Sequence, residues 1–271
     1  MTRMLEEAAA RRVLDYFASH PVFDRHRGDI CIALTGSFAF GLGGKGADVD
    51  VKALAPGAAF DAIRAELAEA GRIAKDGAPE EDLTGVVGDY SLESLEAVWE
   101  RVQRYGDLTQ VFIYGNLVYL DGRRDFLESL VRHCQRIPDA VLKRAVAEEQ
   151  ASLSQALYGF LRSFQNEDPV ARNLTRAALA RAAMRLAFLT EGQAPPYDKH
   201  LFRLLTRLRC GKPVAEAVLQ FLTESGESVE AALYATVAAA DDWHDMYAAA
   251  LETPALAFRR SVHDLLGLAP V

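Results

Sequence analysis

Three features that mark whole classes of proteins are missing from this sequence: paired cysteines, a long apolar run and an excess of basic charge. The 271-residue chain has three cysteines, at positions 31, 134 and 210, and no CxxC pair. This spacing argues against a structural zinc site or a disulfide framework, and favours reduced thiols. No apolar run approaches the roughly 18 residues that a membrane-spanning helix needs.

The N-terminal segment also lacks the apolar core of a signal peptide. Residues 2–19 carry charges of both signs and repeat apolar side chains at helical spacing, which predicts an amphipathic helix. Together with the reduced thiols, these absences predict a cytoplasmic protein with no membrane partner.

Basic charge is in the minority. The chain has 30 Lys and Arg against 38 Asp and Glu, a formal net charge of -8, and a pI of about 5.3. Such a chain repels the phosphate backbone of nucleic acids, and it has no basic stripe of the kind that a polymerase uses. We therefore predict no nucleic-acid partner.

The apolar pattern changes near residue 125. Before it, short runs rich in β-branched residues, such as 30–35 and 49–54, alternate with helical segments, which predicts an α/β domain over residues 1–125. After it only helical periodicity is found, which predicts an all-α helical bundle over residues 126–271. The expected fold class is therefore α+β, with a small mixed sheet followed by helices.

The glycine-rich segment 35–52, TGSFAFGLGGKGADVDVK, fits two motifs. Its glycines spell G-x-G-x-x-G over 41–46, but a dinucleotide-binding fold needs a helix directly after them to bind the pyrophosphate. The alternating pattern of residues 47–51 predicts a strand there instead. A Walker A loop is excluded because Lys45 is followed by glycine rather than by serine or threonine.

The second motif is the pair of carboxylates, Asp48 and Asp50. On a strand, residues i and i+2 point to the same face about 6.6 Å apart, whereas Val49 and Val51 would enter the core. Two like charges on one face favour a counter-cation, and Mg²⁺ takes carboxylate and phosphate oxygens. The pattern predicts a magnesium site at Asp48 and Asp50; a solvated pair on an edge strand is the alternative.

Gly36 and Ser37 stand at the end of the preceding predicted strand. A glycine at such a place lets the backbone approach a phosphate, and a serine can bind the phosphate through its hydroxyl and its N–H group. These two residues are therefore predicted to be phosphate ligands.

Together these residues resemble the signature of the nucleotidyltransferase superfamily, which includes DNA polymerase β and the kanamycin-type aminoglycoside nucleotidyltransferases. That signature is a hydrophobic strand, Gly-Ser, a spacer, and then acid-hydrophobic-acid-hydrophobic. One departure is Ala47, where serine is common. The resemblance implies Mg²⁺-dependent transfer of a nucleoside monophosphate, expected to be AMP from ATP, to a hydroxyl of a small-molecule acceptor. It implies that Asp48 and Asp50 hold the metal and that Gly36 and Ser37 hold the β- and γ-phosphates.

The resemblance also implies a third carboxylate on a later strand. Asp89 is the acid within a predicted strand over residues 84–90, ahead of a helix that Ser91 is predicted to cap. Capping the turn before that helix is the alternative role for Asp89.

The helical half provides two further residues through the same resemblance. Glu149 lies where related enzymes carry a general base that deprotonates the acceptor hydroxyl; a solvated helix face is the alternative. Lys199 lies at the start of a helix after a chain break and is the expected triphosphate ligand; a surface lysine is the alternative. The pair Asp168-Pro169 predicts the start of another helix.

The sequence leaves the acceptor open. A hydroxylated small molecule such as an aminoglycoside-like antibiotic is the family precedent, and antitoxin-type relatives modify a protein instead. A catalytically silent binding or regulatory module that keeps the fold is the alternative from another class. A homodimer that completes the acceptor site from both subunits would fit the family.

Overall fold

The computed structural model of the chain describes residues 2–44, 47–70, 90–223, 235, 237 and 253–268. It divides into two compact units, Met1–Arg136 and Ile137–Val271. The helix Arg124–Cys134, which begins where the sequence pattern changes, packs against strands of the N-terminal unit.

A mixed β-sheet forms the centre of the N-terminal unit, with the strand order β3-β2-β1-β4. Its strands are β1 (Cys31–Leu34), β2 (Val51–Ala55), β3 (Tyr90–Ser94) and β4 (Val118–Gly122). Strand β1 is antiparallel to both β2 and β4, whereas β2 and β3 are parallel. The small mixed sheet and the α+β class that the sequence predicts are therefore present.

The helices described in this unit cover both faces of the sheet. They are α1 (Thr2–Ser19), α2 (Pro21–Arg25), α3 (Gly36–Ala39), α4 (Gly57–Glu69), α5 (Leu95–Val102), α6 (Leu108–Gly115) and α7 (Arg124–Cys134). Side chains from α1, α2 and α4 form one buried core with the sheet, which takes Val51, Ala53 and Ala55 from β2. Lys52 and Leu54 alternate with them and therefore point to the opposite face.

Strand β3 extends further along the chain, and helix α5 begins later, than the sequence analysis places them. Tyr90 and Leu92 pack against the core and alternate with two polar residues, so the strand continues through Ser91 to Ser94. The cap of α5 is Ser94, whose Oγ accepts a hydrogen bond from the N–H of Ala97 at 3.4 Å. The predicted cap at Ser91 is therefore wrong.

The described part of the C-terminal unit consists of helices. They are α8 (Asp139–Gln165), α9 (Pro169–Thr190), α10 (Asp198–Leu205), α11 (Gly211–Thr223) and α12 (Pro254–Leu266). Asp168 caps α9 by accepting from the N–H groups of Val170 and Ala171, and Pro169 is its first residue, as predicted. No helix among the described residues is both long and apolar enough to cross a membrane.

Candidate functional site

The end of β1 and the start of β2 meet at Gly36 and Asp50. The N–H of Thr35 donates to the carbonyl oxygen of Asp50 at 3.0 Å, which continues the antiparallel pairing of the two strands. Gly36 has a φ of +63°, and a Cβ atom at this position would lie 1.8 Å from Oδ2 of Asp50. Glycine is therefore required here both by the backbone conformation and by the close approach of the carboxylate.

The two aspartates lie on the side of their segment that is turned away from the core. Val49 and Val51 are buried in the core, whereas Asp48 is exposed and Asp50 is half-buried. The alternation of buried and accessible side chains is the predicted one, but residues 47–50 are not part of a strand, and β2 begins only at Val51. The Asp50 carboxylate lies against Gly36, in the space that a side chain at residue 36 would occupy.

These residues fit Mg²⁺. Such sites use one or two protein carboxylates, and substrate phosphates and water provide the remaining ligands. Among the described residues, no group of three or more His, Cys, Asp or Glu side chains is arranged to hold a metal by itself. Asp48 and Asp50 would therefore need oxygen atoms from a bound substrate to complete the coordination of the ion.

Ser37 directly follows Gly36 in α3 and is half-buried. Its carbonyl oxygen accepts from the N–H of Leu42 at 2.8 Å, which helps turn the chain back after the helix. A Cβ atom at Gly43 would lie 2.6 Å from a ring carbon of Phe38, so this glycine also allows a close approach. The glycine-rich segment therefore shapes the connection that leads into β2, and no dinucleotide-binding helix follows it.

A second charged group, which the sequence analysis did not single out, lies on the same face of the sheet. Lys52 is two residues after Asp50, so its side chain points to the same side of β2. Its ammonium group forms an ion pair with Glu93 on β3 and donates to Oγ of Ser91 at 3.1 Å. The side chains of Lys52 and Glu93 are only 19% and 11% exposed.

Two more side chains bind the carboxylate of Glu93. Oη of Tyr114 donates to Oε2 at 2.6 Å, and Nη2 of Arg101 donates to the same oxygen at 2.9 Å. Nη1 of Arg101 also donates to Oη of Tyr114 at 3.2 Å. We call Lys52, Glu93, Arg101 and Tyr114 the Glu93 cluster.

The protonation states in the Glu93 cluster follow from these contacts. Burial raises the pKa of Glu93, but Lys52, Tyr114 and Arg101 more than reverse this effect, and the pKa of the carboxyl lies below its ordinary value. Burial and the neighbouring Glu93 raise the pKa of Tyr114. The cluster is therefore an ionised carboxylate held by two cations and a neutral phenol.

A sequence signal for this cluster exists. The alternation of Tyr90 and Leu92 with Ser91 and Glu93 is a strand pattern, and Lys52 is a charge on an otherwise apolar strand. What sequence alone does not give is that β2 and β3 are neighbours, and only this pairing brings Lys52 and Glu93 together.

The remaining predicted site residues lie elsewhere. Asp89 is outside the described residues. In the C-terminal unit, Glu149 on α8 forms an ion pair with Arg185 on α9, and both side chains are largely buried. Nζ of Lys199, in the first turn of α10, lies 5.2 Å from the centre of the Tyr197 ring. The structure therefore brings Gly36 and Asp50 into contact at one corner of the N-terminal unit, with Ser37 and Asp48 within two residues of them in the chain, and shows Glu149 in a contact that joins two helices.

Comparisons with known proteins give limited similarity. A family model described as a domain of unknown function (DUF4037) matches residues 99–201, from α5 into α10. No curated protein matches the chain. Among solved structures, the chain is similar to a nucleotidyltransferase-like protein from Exiguobacterium sibiricum 255-15, with 11% sequence identity and a TM-score of 0.42, over 97% of this chain and 74% of that chain. The family match includes Arg101 and Tyr114 but not the segment that carries Gly36 and Asp50.

Proposed function

We propose that this protein is a Mg²⁺-dependent nucleotidyltransferase. It transfers a nucleoside monophosphate, expected to be AMP from ATP, to a hydroxyl group of a small-molecule acceptor and releases pyrophosphate. The observation that carries the proposal is the contact between Gly36 and Asp50. Any side chain at residue 36 would displace the Asp50 carboxylate. A phosphate-binding turn beside a metal-binding aspartate needs a glycine at such a position.

Each residue of this corner has a defined role in the proposal. Asp48 and Asp50 hold Mg²⁺, which when bound neutralises charge on the phosphates. The backbone of Gly36 and the hydroxyl and N–H of Ser37 bind the β- and γ-phosphates, and so fix the position of the α-phosphorus. The contribution of the protein is mostly orientation and charge stabilisation, which together provide most of the rate in phosphoryl-type transfer.

Asp89 remains the proposed third carboxylate. Tyr90 pairs with Val51, and Tyr90 directly follows Asp89 in the sequence just as Val51 directly follows Asp50. Tyr90 and Val51 both belong to the core. This correspondence between the two strands supports the assignment of Asp89 to the same site.

The roles of Glu149 and Lys199 stay predictions. Glu149 would have to leave its largely buried ion pair with Arg185 before its carboxylate could reach an acceptor hydroxyl. The contact with Arg185 therefore favours a structural role for Glu149.

The position of a radioactive label tests the reaction class. The purified full chain is incubated with Mg²⁺ and a polar metabolite extract, together with ATP labelled at either the α- or the γ-phosphate. We expect a new product labelled only from the α-position, labelled pyrophosphate from the γ-position, and neither with the double variant Asp48→Asn/Asp50→Asn. A product labelled from the γ-position would indicate a kinase, and no labelled product from either form of ATP would favour a catalytically silent module.

A further inference from the structure

Among the residues that the structure describes, the Glu93 cluster contains two cations and one carboxylate. Within the described part of the chain, Lys52 and Arg101 share a single carboxylate, that of Glu93. Lys52 is largely buried, whereas the side chain of Arg101 is 47% exposed. Arg101 is therefore the cation of the cluster that is accessible to solvent.

The guanidinium of Arg101 is fixed in orientation. One of its terminal nitrogens donates to Glu93, the other donates to Tyr114, and its central carbon lies 5.9 Å from the centre of the Tyr114 ring. A guanidinium has five N–H donors, so these two bonds leave donors for an acceptor from outside. A planar, preorganised guanidinium is well suited to bind a carboxylate or a phosphate through two parallel hydrogen bonds.

The strand order places this cation on a defined side of the candidate site. Gly36 and Ser37 follow β1, which is one neighbour of β2, whereas Glu93 lies on β3, which is the other neighbour. Lys52 shares the sheet face of Asp50. The proposed phosphate ligands therefore lie on the β1 side of β2 and the Glu93 cluster on its β3 side, where Glu93 stands opposite Leu54, four residues along the chain from Asp50.

We propose that the acceptor is an anionic molecule and that Arg101 binds its carboxylate or phosphate group. This inference rests on the proposed function: in nucleotidyl transfer, the attacking hydroxyl and the leaving pyrophosphate lie in line on opposite sides of the α-phosphorus. With the pyrophosphate on the β1 side at Gly36 and Ser37, the acceptor enters from the β3 side, where Arg101 is exposed.

Anion binding at Arg101 is measured with the full chain labelled with ¹⁵N-arginine, by NMR of the arginine Nε–H signals. Inorganic phosphate and acetate are the probes, titrated without Mg²⁺ or nucleotide, and Arg101→Gln identifies the Arg101 signal. We expect a saturable shift of that signal with one of the two anions, and the stronger binder shows which anionic group the site prefers. Arg101→Lys keeps the charge but loses the planar fork and the arginine signal; calorimetric titration should show that it binds the preferred anion severalfold more weakly than the wild type.

Arg104→Gln is the matched control, because Arg104 is an exposed arginine just beyond the end of the same helix. In this variant the shift of the Arg101 signal should be retained. No saturable shift in the wild type, or a loss of the shift in Arg104→Gln as well, would overturn the inference.

A second arm separates the acceptor from the nucleotide. The titration is repeated with Mg²⁺ and a non-hydrolysable ATP analogue, whose own binding is followed by calorimetry. If Arg101 serves the acceptor, the anion still binds when the analogue is bound. If the bound analogue displaces the anion, Arg101 is a ligand of the nucleotide and the acceptor assignment is wrong. Failure of the analogue to bind contradicts the proposed function itself and, because the acceptor assignment rests on that function, removes this assignment as well.

Discussion

The contact between Gly36 and Asp50 is possible because the side chain of residue 36 is only a hydrogen atom. Because Gly36 has no Cβ atom, the Asp50 carboxylate can occupy the space where a side chain would stand. The φ of Gly36 is +63°, which residues other than glycine adopt only with strain. Every other side chain would compete with the carboxylate for the same space. The position of Asp50 therefore depends directly on the identity of residue 36.

Replacing Gly36 should disturb the site more than the fold. Gly36→Ala introduces a Cβ that Asp50 must move away from, and costs about 1–2 kcal/mol because of the left-handed backbone. We expect the variant to stay folded and to lose at least about tenfold in Mg²⁺-dependent nucleotide affinity, corresponding to about 1.4 kcal/mol. Calorimetric titration with the nucleotide, alongside thermal unfolding, measures both effects.

Gly44→Ala is the control for this substitution. Gly44 lies in the same connection between β1 and β2, and a Cβ atom there meets nothing within 4 Å. This variant should bind nucleotide like the wild type. Equal affinity of Gly36→Ala and Gly44→Ala would mean that the contact with Asp50 does not shape the site.

The sequence predicts the burial of single residues where burial follows from local periodicity. The alternation of Asp48 and Asp50 with Val49 and Val51 is a local property of the chain, and the structure confirms it. The contact between Gly36 and Asp50 depends on the pairing of β1 with β2, which involves residues that are separated by a loop. Sequence spacing alone could place both residues near a site, but could not place one carboxylate against one glycine.

At the level of strands and helices, the Glu93 cluster joins four elements. Lys52 comes from β2, Glu93 from β3, Arg101 from α5 and Tyr114 from α6. Each of the other three side chains donates a hydrogen bond to the Glu93 carboxylate. Loss of that carboxylate would leave a largely buried ammonium group without its counter-charge.

Glu93→Gln should therefore destabilise the N-terminal unit. Breaking a buried ion pair by removing one partner costs about 3–5 kcal/mol, and we expect about 3 kcal/mol here because Arg101 is half exposed. Urea denaturation at neutral pH measures the change as a lower midpoint with an unchanged m-value. Glu100→Gln, an exposed glutamate on α5, should change stability by less than about 0.5 kcal/mol; equal stability of the two variants would contradict the account.

The difference in stability between the wild type and Glu93→Gln should depend on pH, with a sign that follows from the pKa of Glu93. The pKa of Glu93 is lower in the folded protein than its ordinary value of 4.5. A lowered folded pKa contributes stability that is fully present above the ordinary value and is lost as the pH falls through the folded value. The stability difference between wild type and Glu93→Gln should therefore be constant from neutral pH down to about pH 4.5 and shrink below it. A difference that persists unchanged in stronger acid would show that Glu93 is not the titrating group.

The boundary between β3 and α5 shows why an element can be misplaced. Ser91 and Ser94 are both good N-cap residues, and both precede a glutamate and apolar residues that suit a helix. The chain extends the strand to Ser94 because β3 gains a complete set of pairs with β2, from Tyr90 opposite Val51 to Ser94 opposite Ala55. Local capping signals were equal, and the long-range pairing decided between them.

Across the whole molecule, the order of strands and helices was the most predictable feature. The change from mixed to purely helical periodicity falls near residue 125, whereas the compact units divide between Arg136 and Ile137. The intervening helix α7 has the periodicity of a helical domain, but it buries Leu127 and Leu130 in the N-terminal unit. Periodicity identifies which face of a helix is buried and not which partner covers it.

Nucleotide binding by calorimetry tests the central claim most directly. Each of the four common NTPs is titrated into the full chain with and without Mg²⁺, and into the double variant Asp48→Asn/Asp50→Asn. The account predicts Mg²⁺-dependent binding of at least one NTP, with a dissociation constant on the order of micromolar, which is lost in the double variant. No binding of any NTP in the presence of Mg²⁺, or equal binding by the double variant, would contradict the assignment of this corner as a nucleotidyl-transfer site.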